Sequence, residues 1–508
     1  MKKIYRKIAV VALAFSVLAV SCKKDYLETD PTDSVNEDIV FEDTPGALAA
    51  LNGTIRSMYA YMPEDGGHHH FGQKTYDLFS DLMGEDLVLH ARGSGWFAAD
   101  YTYSEQSDAR PGRNPDLTWL YYYKVINNAN RILQRLPEIP GEQEDKDYLR
   151  GQALTLRAHS YFYLVNFFSQ YGDQNPGVPL NIEPTTEGKG RGTVKEIYDQ
   201  IYADLTEAET LLDDYRDHLS HVNQSVVQGL YARVALQHGD DAKALEMASK
   251  AIQTSGKDLY SRAQYTAAAF NTLSAAEWMW GGEVNVEQST TYPSFFSHMD
   301  NRSSAGGYAA LGQRKKITKA LYDQIPEGDV RKNLFQSTPD PNMPIYAQQK
   351  FQLRTPGNWA SDYLFMRLSE MYLIKAEAEA RQGQSGAAIQ TLEGLVKERY
   401  ADYSASGLAG ESLLNEILLQ RKIELWGEGF GILDVRRLGN GLKRPTGAGN
   451  HGGRNLNGDG EDGQDSNNFE PNVTTLPALS NRWLFAIPQD EINANRELSV
   501  ADQNPSTD

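Results

Sequence analysis

The sequence predicts a mostly α-helical single domain of antiparallel helix hairpins, interrupted by one long irregular segment of loops and short strands. Three observations predict it. Apolar residues recur at helical spacing across residues 44–254 and again across 362–430. Two pairs of these segments are joined by three-residue polar turns, His238-Gly239-Asp240 and Gly383-Gln384-Ser385. Between them, residues 260–361 are rich in aromatic, Gly, Asn and Ser residues and lose the helical period.

The chain opens with Lys2, Lys3, Arg6 and Lys7, followed by an apolar run from Ile8 to Val20. That run is too short for a membrane-spanning helix, which takes roughly 20 residues, and has the length of a secretory signal. Ala19-Val20-Ser21 leads to Cys22, the single cysteine of the chain. The arrangement resembles a bacterial lipoprotein signal, in which the cysteine becomes the acylated N-terminus, although Ala19 stands where leucine is usual. Residues 1–21 are thus expected to be a signal peptide, 22–43 a lipidated polar tether, and 44–508 the folded domain. Acyl chains would hold that domain on a membrane without spanning it.

Thr44-Pro45 is a helix-start signal, and Leu48, Leu51, Ile55, Met58, Tyr59 and Met62 follow at helical spacing. Leu117, Tyr121, Val125, Ile132 and Leu136 mark a second helix. Leu149, Ala153, Leu156, Ser160, Leu164, Phe167 and Tyr171 mark a third, stopped at Gly172. Thr193-x-x-Glu196 is a capping box ahead of Ile197, Ile201, Leu205, Ala208 and Leu212. Residues 224–238 and 241–254 form one hairpin, 362–382 and 386–398 another. Alanines recur on both, at 232, 235, 248 and 251 and at 376, 378, 380, 387 and 388, which lets helices pack closely. This texture resembles tetratricopeptide units, without an unbroken 34-residue period. The helical scaffold is expected mainly over 117–254 and 362–430. Residues 439–463 hold nine glycines and read as a long mobile loop, and Trp483–Pro488 reads as a short strand.

Forty per cent apolar residues over 508 positions suffice for a buried core. The balance of 49 Lys+Arg against 68 Asp+Glu argues against a nucleic-acid or anionic-membrane surface. One cysteine excludes intrachain disulfides and all-cysteine metal sites. Gly447 to Gly452 matches a dinucleotide fingerprint by letter but follows no strand and opens no helix. His68-His69-His70 reads as a surface run whose adjacent side chains diverge. Asp459 to Asp465 resembles a calcium loop in composition, without the glycine and the closing glutamate the loop needs, so at most a loose calcium site is expected there, and no other cofactor. Glu424 and Glu428 lie one helical turn apart. Such pairs can serve glycoside hydrolysis, yet on a helix they are expected to be solvated or paired with Arg421, Arg436 and Arg437. No nucleophile elbow, zinc motif or phosphate loop is present, and no enzyme is expected.

Five blocks in order resemble the SusD/RagB family of outer-membrane nutrient-uptake lipoproteins. They are Cys22-Lys-Lys-Asp-Tyr-Leu-Glu-Thr-Asp-Pro31; Arg157-Ala-His-Ser-Tyr-Phe-Tyr-Leu164 with Tyr171-Gly172 and Val178-Pro179-Leu180; Leu368-Ser-Glu-Met-Tyr-Leu-Ile-Lys-Ala-Glu-Ala378; Arg421-Lys-Ile-Glu-Leu-Trp-Gly-Glu-Gly429 with Asp434-Val-Arg-Arg437; and Leu484-Phe-Ala-Ile-Pro488 with Glu491-Ile492 and Gln503-Asn504-Pro505. Gly431 and Arg496 depart from the usual pattern, where Arg and Pro are common. The resemblance implies a SusD-like single domain with tetratricopeptide-like hairpins, lipid-anchored at the cell surface. It also implies that the protein captures an oligosaccharide, or a peptide, and passes it to a SusC-like TonB-dependent outer-membrane transporter. Two other classes fit the residues: a tetratricopeptide scaffold lipoprotein of outer-membrane assembly, and a surface glycosidase.

Sugars stack their C–H faces on flat rings, so candidate ligand residues are aromatics in loops flanked by Gly, Asn, Asp or Arg. Trp96, within Arg92-Gly-Ser-Gly-Trp-Phe97, leads. Tyr292, Phe295 and Phe296, followed by Asn301 and Arg302, come next, with Trp359 beside Gly357 and Asn358. Trp278 and Trp280 alternate like a half-buried strand and are assigned to the core.

Overall fold

Alanine at helix crossings sets how closely this chain folds on itself. The computed structural model describes residues 37–62, 67–338, 340, 343–452, 469 and 471–508. Its longer helices are α1 (Thr44–Ser57), α2 (Gln73–Met83), α3 (Asn114–Arg135), α4 (Gln143–Phe168), α5 (Val194–Leu211), α6 (Gln224–His238), α7 (Asp241–Thr254), α8 (Leu368–Arg381), α9 (Ser385–Val396) and α10 (Gly410–Glu424). From α3 onward each helix packs on the next, α3 on α4 through α7 on α8, and α8 then packs on both α9 and α10. Ala232, Ala235, Ala248, Ala251, Ala376 and Ala378 are fully buried along these seams. At Gly229 of α6 a Cβ would lie 2.5 Å from the sulfur of Met366, so the glycine leaves room for that side chain against the helix. The mostly α architecture and the hairpins at 224–254 and 368–396 agree with the sequence reading.

The contact of α7 with α8 is the central topological fact. The two are separated by more than a hundred residues of sequence, yet they pack as consecutive hairpin helices do. The irregular segment therefore leaves the helical stack and returns to it, and the stack continues across the gap. This is why no regular 34-residue spacing is visible in the sequence.

Local signals act largely as expected. Thr193 and Glu196 form the capping box of α5. Asp240 caps α7 after Gly239, which ends α6 in the left-handed conformation. The start of α1 shifts by one residue: Asp43, not Thr44, accepts from the Gly46 amide at 2.9 Å. A larger correction concerns 362–367. Tyr363–Arg367 is a strand, paired antiparallel with Trp278–Gly282, and the helix begins only at Leu368. All five residues of each strand are buried, so neither shows the alternation that would separate a strand from a helix by sequence. Trp278 and Trp280 are core residues, as assigned. Trp483–Pro488 joins no ladder; the Phe485 and Ala486 amides donate singly to the carbonyls of Phe167 and Gln106.

The irregular segment is held to the stack by a buried charge network. Arg367 contacts Glu277 at 3.2 Å, Glu424 at 2.7 Å and Glu428 at 2.8 Å. Arg399 contacts Glu277 at 3.1 Å and Glu424 at 3.0 Å. Arg331 bridges Asp329 and Glu424, and Lys350 pairs with Glu428. Four cations face four acids with almost no solvent access. Glu424 and Glu428 are thus neither solvated nor partners of Arg421, Arg436 and Arg437. Instead Arg421 and Arg437 share Asp434, Arg437 also pairs with Glu377, and Arg436 donates to the carbonyls of Asn166 and Ser169. Burial raises the Glu424 carboxyl, but Arg399, Arg367 and Arg331 outweigh it and hold it well below the ordinary range. Burial likewise raises Glu428, and Arg367 and Lys350 bring it below its ordinary value.

Removing one cation leaves the buried network with one uncompensated negative charge, which costs about 3–5 kcal/mol. Arg367→Met is therefore expected to lose about that much in chemical denaturation. Arg110→Met, on the exposed and solvent-screened pair with Asp108, should leave stability nearly unchanged. The two carboxyls titrate lower folded than unfolded. Their stabilisation is complete above the ordinary glutamate value near 4.5 and is lost as pH falls through the lower folded values. Denaturation curves at descending pH should show wild type losing stability below that point and the Arg367 variant losing less.

Candidate ligand-binding face

The site starts from one unusual backbone position. Phe97 adopts φ 63°, left-handed for a bulky residue, at a cost of roughly 1–2 kcal/mol. Its ring is buried against Phe79 at 5.6 Å, Phe71 at 6.1 Å and His298 at 4.8 Å, packing that offsets the strain. With Phe97 turned inward, the preceding Trp96 is carried outward and stays half-buried. Gln313 fixes the loop by donating from Nε2 to the carbonyls of Arg92, at 3.0 Å, and Trp96.

Around Trp96 the rings form a continuous strip. Trp96 stacks on His69 at 5.0 Å and lies 5.7 Å from His68. His68 lies parallel to Tyr292 at 6.1 Å and 5°. Tyr292 meets Tyr308 at 5.1 Å, and the Tyr308 hydroxyl hydrogen-bonds His68 Nδ1 at 2.6 Å. Beneath them His298 stacks on Tyr308 at 5.0 Å and donates from Nε2 to the His68 carbonyl. Tyr292 is 39% exposed; Trp96, His68 and Tyr308 are half-buried.

The histidine run is therefore not a solvated surface feature. His70 is buried, and the His69 and His70 rings lie 4.0 Å apart rather than diverging. Burial lowers His69 to about 4 and holds His70 and His298 well below the ordinary histidine value. At neutral pH these three imidazoles are uncharged rings.

Of the residues singled out in the sequence, Trp96 and Tyr292 come together on this face, and five others do not reach it. Phe295 and Phe296 are buried in the short helix Phe295–Met299, against Phe351 and Tyr363. Asn301 is buried and spent on backbone: it donates to the carbonyls of Lys315 and Gln348 and accepts from the Lys315 amide. Arg302 closes its own turn on Asp300 at 2.6 Å and on the Leu353 carbonyl. Trp359 is 8% exposed. Glycine and asparagine neighbours mark a loop, but a segment this long builds its own core, and loop residues are then as often inside as outside. His68 and Tyr308 escaped the sequence reading. Tyr308 follows Gly306-Gly307 and met the criterion applied to Trp96; His68 had no signal beyond its run.

Two further expectations meet the structure here. The described half of the glycine-rich loop is pinned rather than mobile. Arg444 donates to the carbonyls of Gly84, Tyr101 and Val473, and His451 bonds Tyr101 at 2.9 Å and the Glu85 carbonyl at 2.7 Å. Residues 447–452 themselves are not helical. Cys22 and the suggested calcium residues Asp459–Asp465 lie outside the described residues.

A stack of helix hairpins bearing an aromatic strip on an irregular insert defines a scaffold-and-face architecture, and comparison with known proteins gives it a family. Residues 25–236 match a family described as starch-binding, associating with the outer membrane, and residues 277–506 match the SusD family. The chain belongs to the SusD/RagB family, as the sequence blocks indicated. It is 23% identical over 493 residues to SusD-like protein P2 of Formosa agariphila, covering 87% of this chain and 93% of that protein. A SusD-like carbohydrate binding protein from Bacteroides vulgatus superposes with a TM-score of 0.76 at 27% identity, over 91% of this chain and 98% of the other. A SusD superfamily protein from Bacteroides thetaiotaomicron superposes with 0.73 at 23% identity, over 91% and 100%.

Lys315 supports this face from below. It is buried, donates to the Gln313 carbonyl and faces the Phe97 ring; burial lowers its ammonium from near 10.5 to about 7. Between those values the unfolded chain holds a proton that the folded protein has released. Stability should therefore rise with pH from about 7 to about 10.5, by at most about 1.4 kcal/mol per unit from this group. Denaturant midpoints at pH 7 and 9 should show that rise in wild type and its loss in Lys315→Met; equal slopes would refute the burial argument.

Proposed function

We propose that this protein is a cell-surface lipoprotein, anchored through Cys22, that captures oligosaccharide on the strip formed by Trp96, His68, Tyr292 and Tyr308. It passes the ligand to a SusC-like TonB-dependent outer-membrane transporter and catalyses no reaction. The observation that carries the reading is the strip itself: contiguous flat rings, partly open to solvent, held by buried neutral histidines. Such rings present the apolar area that sugar C–H faces need. Family membership supports it, since one member family is described as starch-binding and outer-membrane associated and a 27%-identical structure is named as carbohydrate binding. The absence of chemistry is supported by the fate of Glu424 and Glu428. Ion-paired inside the core, they cannot flank a glycosidic bond. On this reading residues 1–21 are removed, 22–43 tether, and the remainder is one binding domain.

Trp96→Ala is expected to weaken oligosaccharide binding by about 2 kcal/mol, near thirtyfold, while thermal stability falls little, because the half-buried indole's ring contacts are with His69, His68 and Tyr308 on the face itself. Unchanged affinity with a large stability loss would make Trp96 a core residue. Native extraction from outer membranes in mild detergent should recover a TonB-dependent barrel in stoichiometric amount, and Cys22→Ser should release the protein from the membrane. Recovery of an assembly-machine barrel instead would favour the scaffold reading.

A further inference from the structure

Next to the aromatic strip lies an open cleft of about 390 Å³, within the size range of small-ligand sites. Its walls are Arg56 at the end of α1, Tyr59, His218, and the stretch from Glu283 through Asn285 to Gln288. We propose that this cleft is a second, hydroxyl-recognising subsite, which binds the units of an oligosaccharide adjoining those stacked on the strip. The inference rests on the oligosaccharide reading of the strip and adds where the rest of the ligand goes.

The polar groups here are set up by the fold yet not consumed by it. Asn285 Oδ1 accepts from the Gln288 amide at 2.9 Å, and Gln288 Oε1 accepts from the Asn285 amide at 3.4 Å. Each side chain thus closes the turn with its oxygen, and its NH2 group has no partner among the described residues. The exposed Arg56 guanidinium has no carboxylate within ion-pair distance among the described residues. At the Glu283 end of the cleft His218 Nδ1 accepts from the Ser220 amide, which leaves Nε2–H to donate to Glu283 Oε2 at 2.6 Å. That orients a half-exposed carboxylate whose second oxygen remains an acceptor. A sugar diol needs both kinds of group: donors for its oxygens and an acceptor for its hydroxyl hydrogens. The Tyr59 ring, half-buried between them, adds a flat wall.

Continuity ties the cleft to the strip. Gln288 is four residues from Tyr292, so their Cα atoms are at most about 14 Å apart. Tyr59 is two residues from Tyr61, whose ring meets His68 edge-on at 6.4 Å. The chain thus carries two cleft-lining residues to within a few residues of the strip, close enough for one chain of several sugar units to touch both. On this proposal a disaccharide is held by the strip, and only a longer chain extends into the cleft.

The test is calorimetric titration of the mature protein with short and long members of three series: maltose and maltoheptaose, xylobiose and xylohexaose, chitobiose and chitohexaose. For the series that binds, the long member should bind wild type more tightly. Arg56→Ala and, separately, Gln288→Ala should each weaken the long member at least fivefold and change the disaccharide less than twofold. Trp96→Ala should weaken both. If the Arg56 and Gln288 variants bind the long member as wild type does while Trp96→Ala weakens both lengths, the second subsite is overturned and the strip reading stands. If wild type binds none of the six sugars, the oligosaccharide reading itself is overturned, and the inference with it.

Discussion

Four buried cations and four buried acids, closed around Arg367, Arg399, Glu424 and Glu277, are the constraint on which the rest of this protein depends. Glu277, Asp329, Arg331 and Lys350 come from the irregular segment; Arg399, Glu424 and Glu428 come from the helical stack and the turns that follow its helices. Arg367 sits at the junction, the last residue of a strand and the one before α8. A buried pair of charges is seldom a net gain over apolar packing, but each member is indispensable once the others are buried. The network therefore acts mainly as a register: the irregular segment can dock on the stack in one way only, because any other would leave charges unpaired in the core.

That register has a functional consequence. Tyr292 and Tyr308 belong to the irregular segment, whereas His68, His69 and Trp96 precede the main stack. For a flat strip to form, the two parts must meet to within the tolerance of ring stacking. Gln313 and His298 make the local closure, and the charge network holds the segment that carries them. The helices are thus a frame, and the face is built where loops from distant parts of the chain are brought against one another.

The departure at Gly431 has a similar explanation. Its amide donates to the buried Asp81 at 3.0 Å, and a Cβ there would lie 2.9 Å from both the Asp81 Cα and the Ser80 carbonyl oxygen. In this chain the contact between α2 and the turn after α10 is backbone-close, and no side chain fits between them.

Helical periodicity, the capping box at Thr193, the alanine seams and the family blocks are local features, and they determined the mostly helical class, the hairpins and the family. Trp96 and Tyr292 were found because glycine-bounded aromatics are a local signal too. Tertiary structure alone decided the rest. Whether Phe295, Phe296, Asn301 and Trp359 face solvent depends on what the folded insert lays over them, and Asn301 is consumed by carbonyls 14 and 47 residues away. Whether Glu424 and Glu428 are solvated depends on four cations, the nearest of them, Arg399, 25 residues away in sequence. That α7 continues into α8 across the insert, and that a histidine run becomes part of a ring strip, are likewise long-range facts. Spacing along a chain reports which face of its own helix a residue occupies; burial and pairing depend on what packs against that face, and in this protein the packing partners come from remote parts of the sequence.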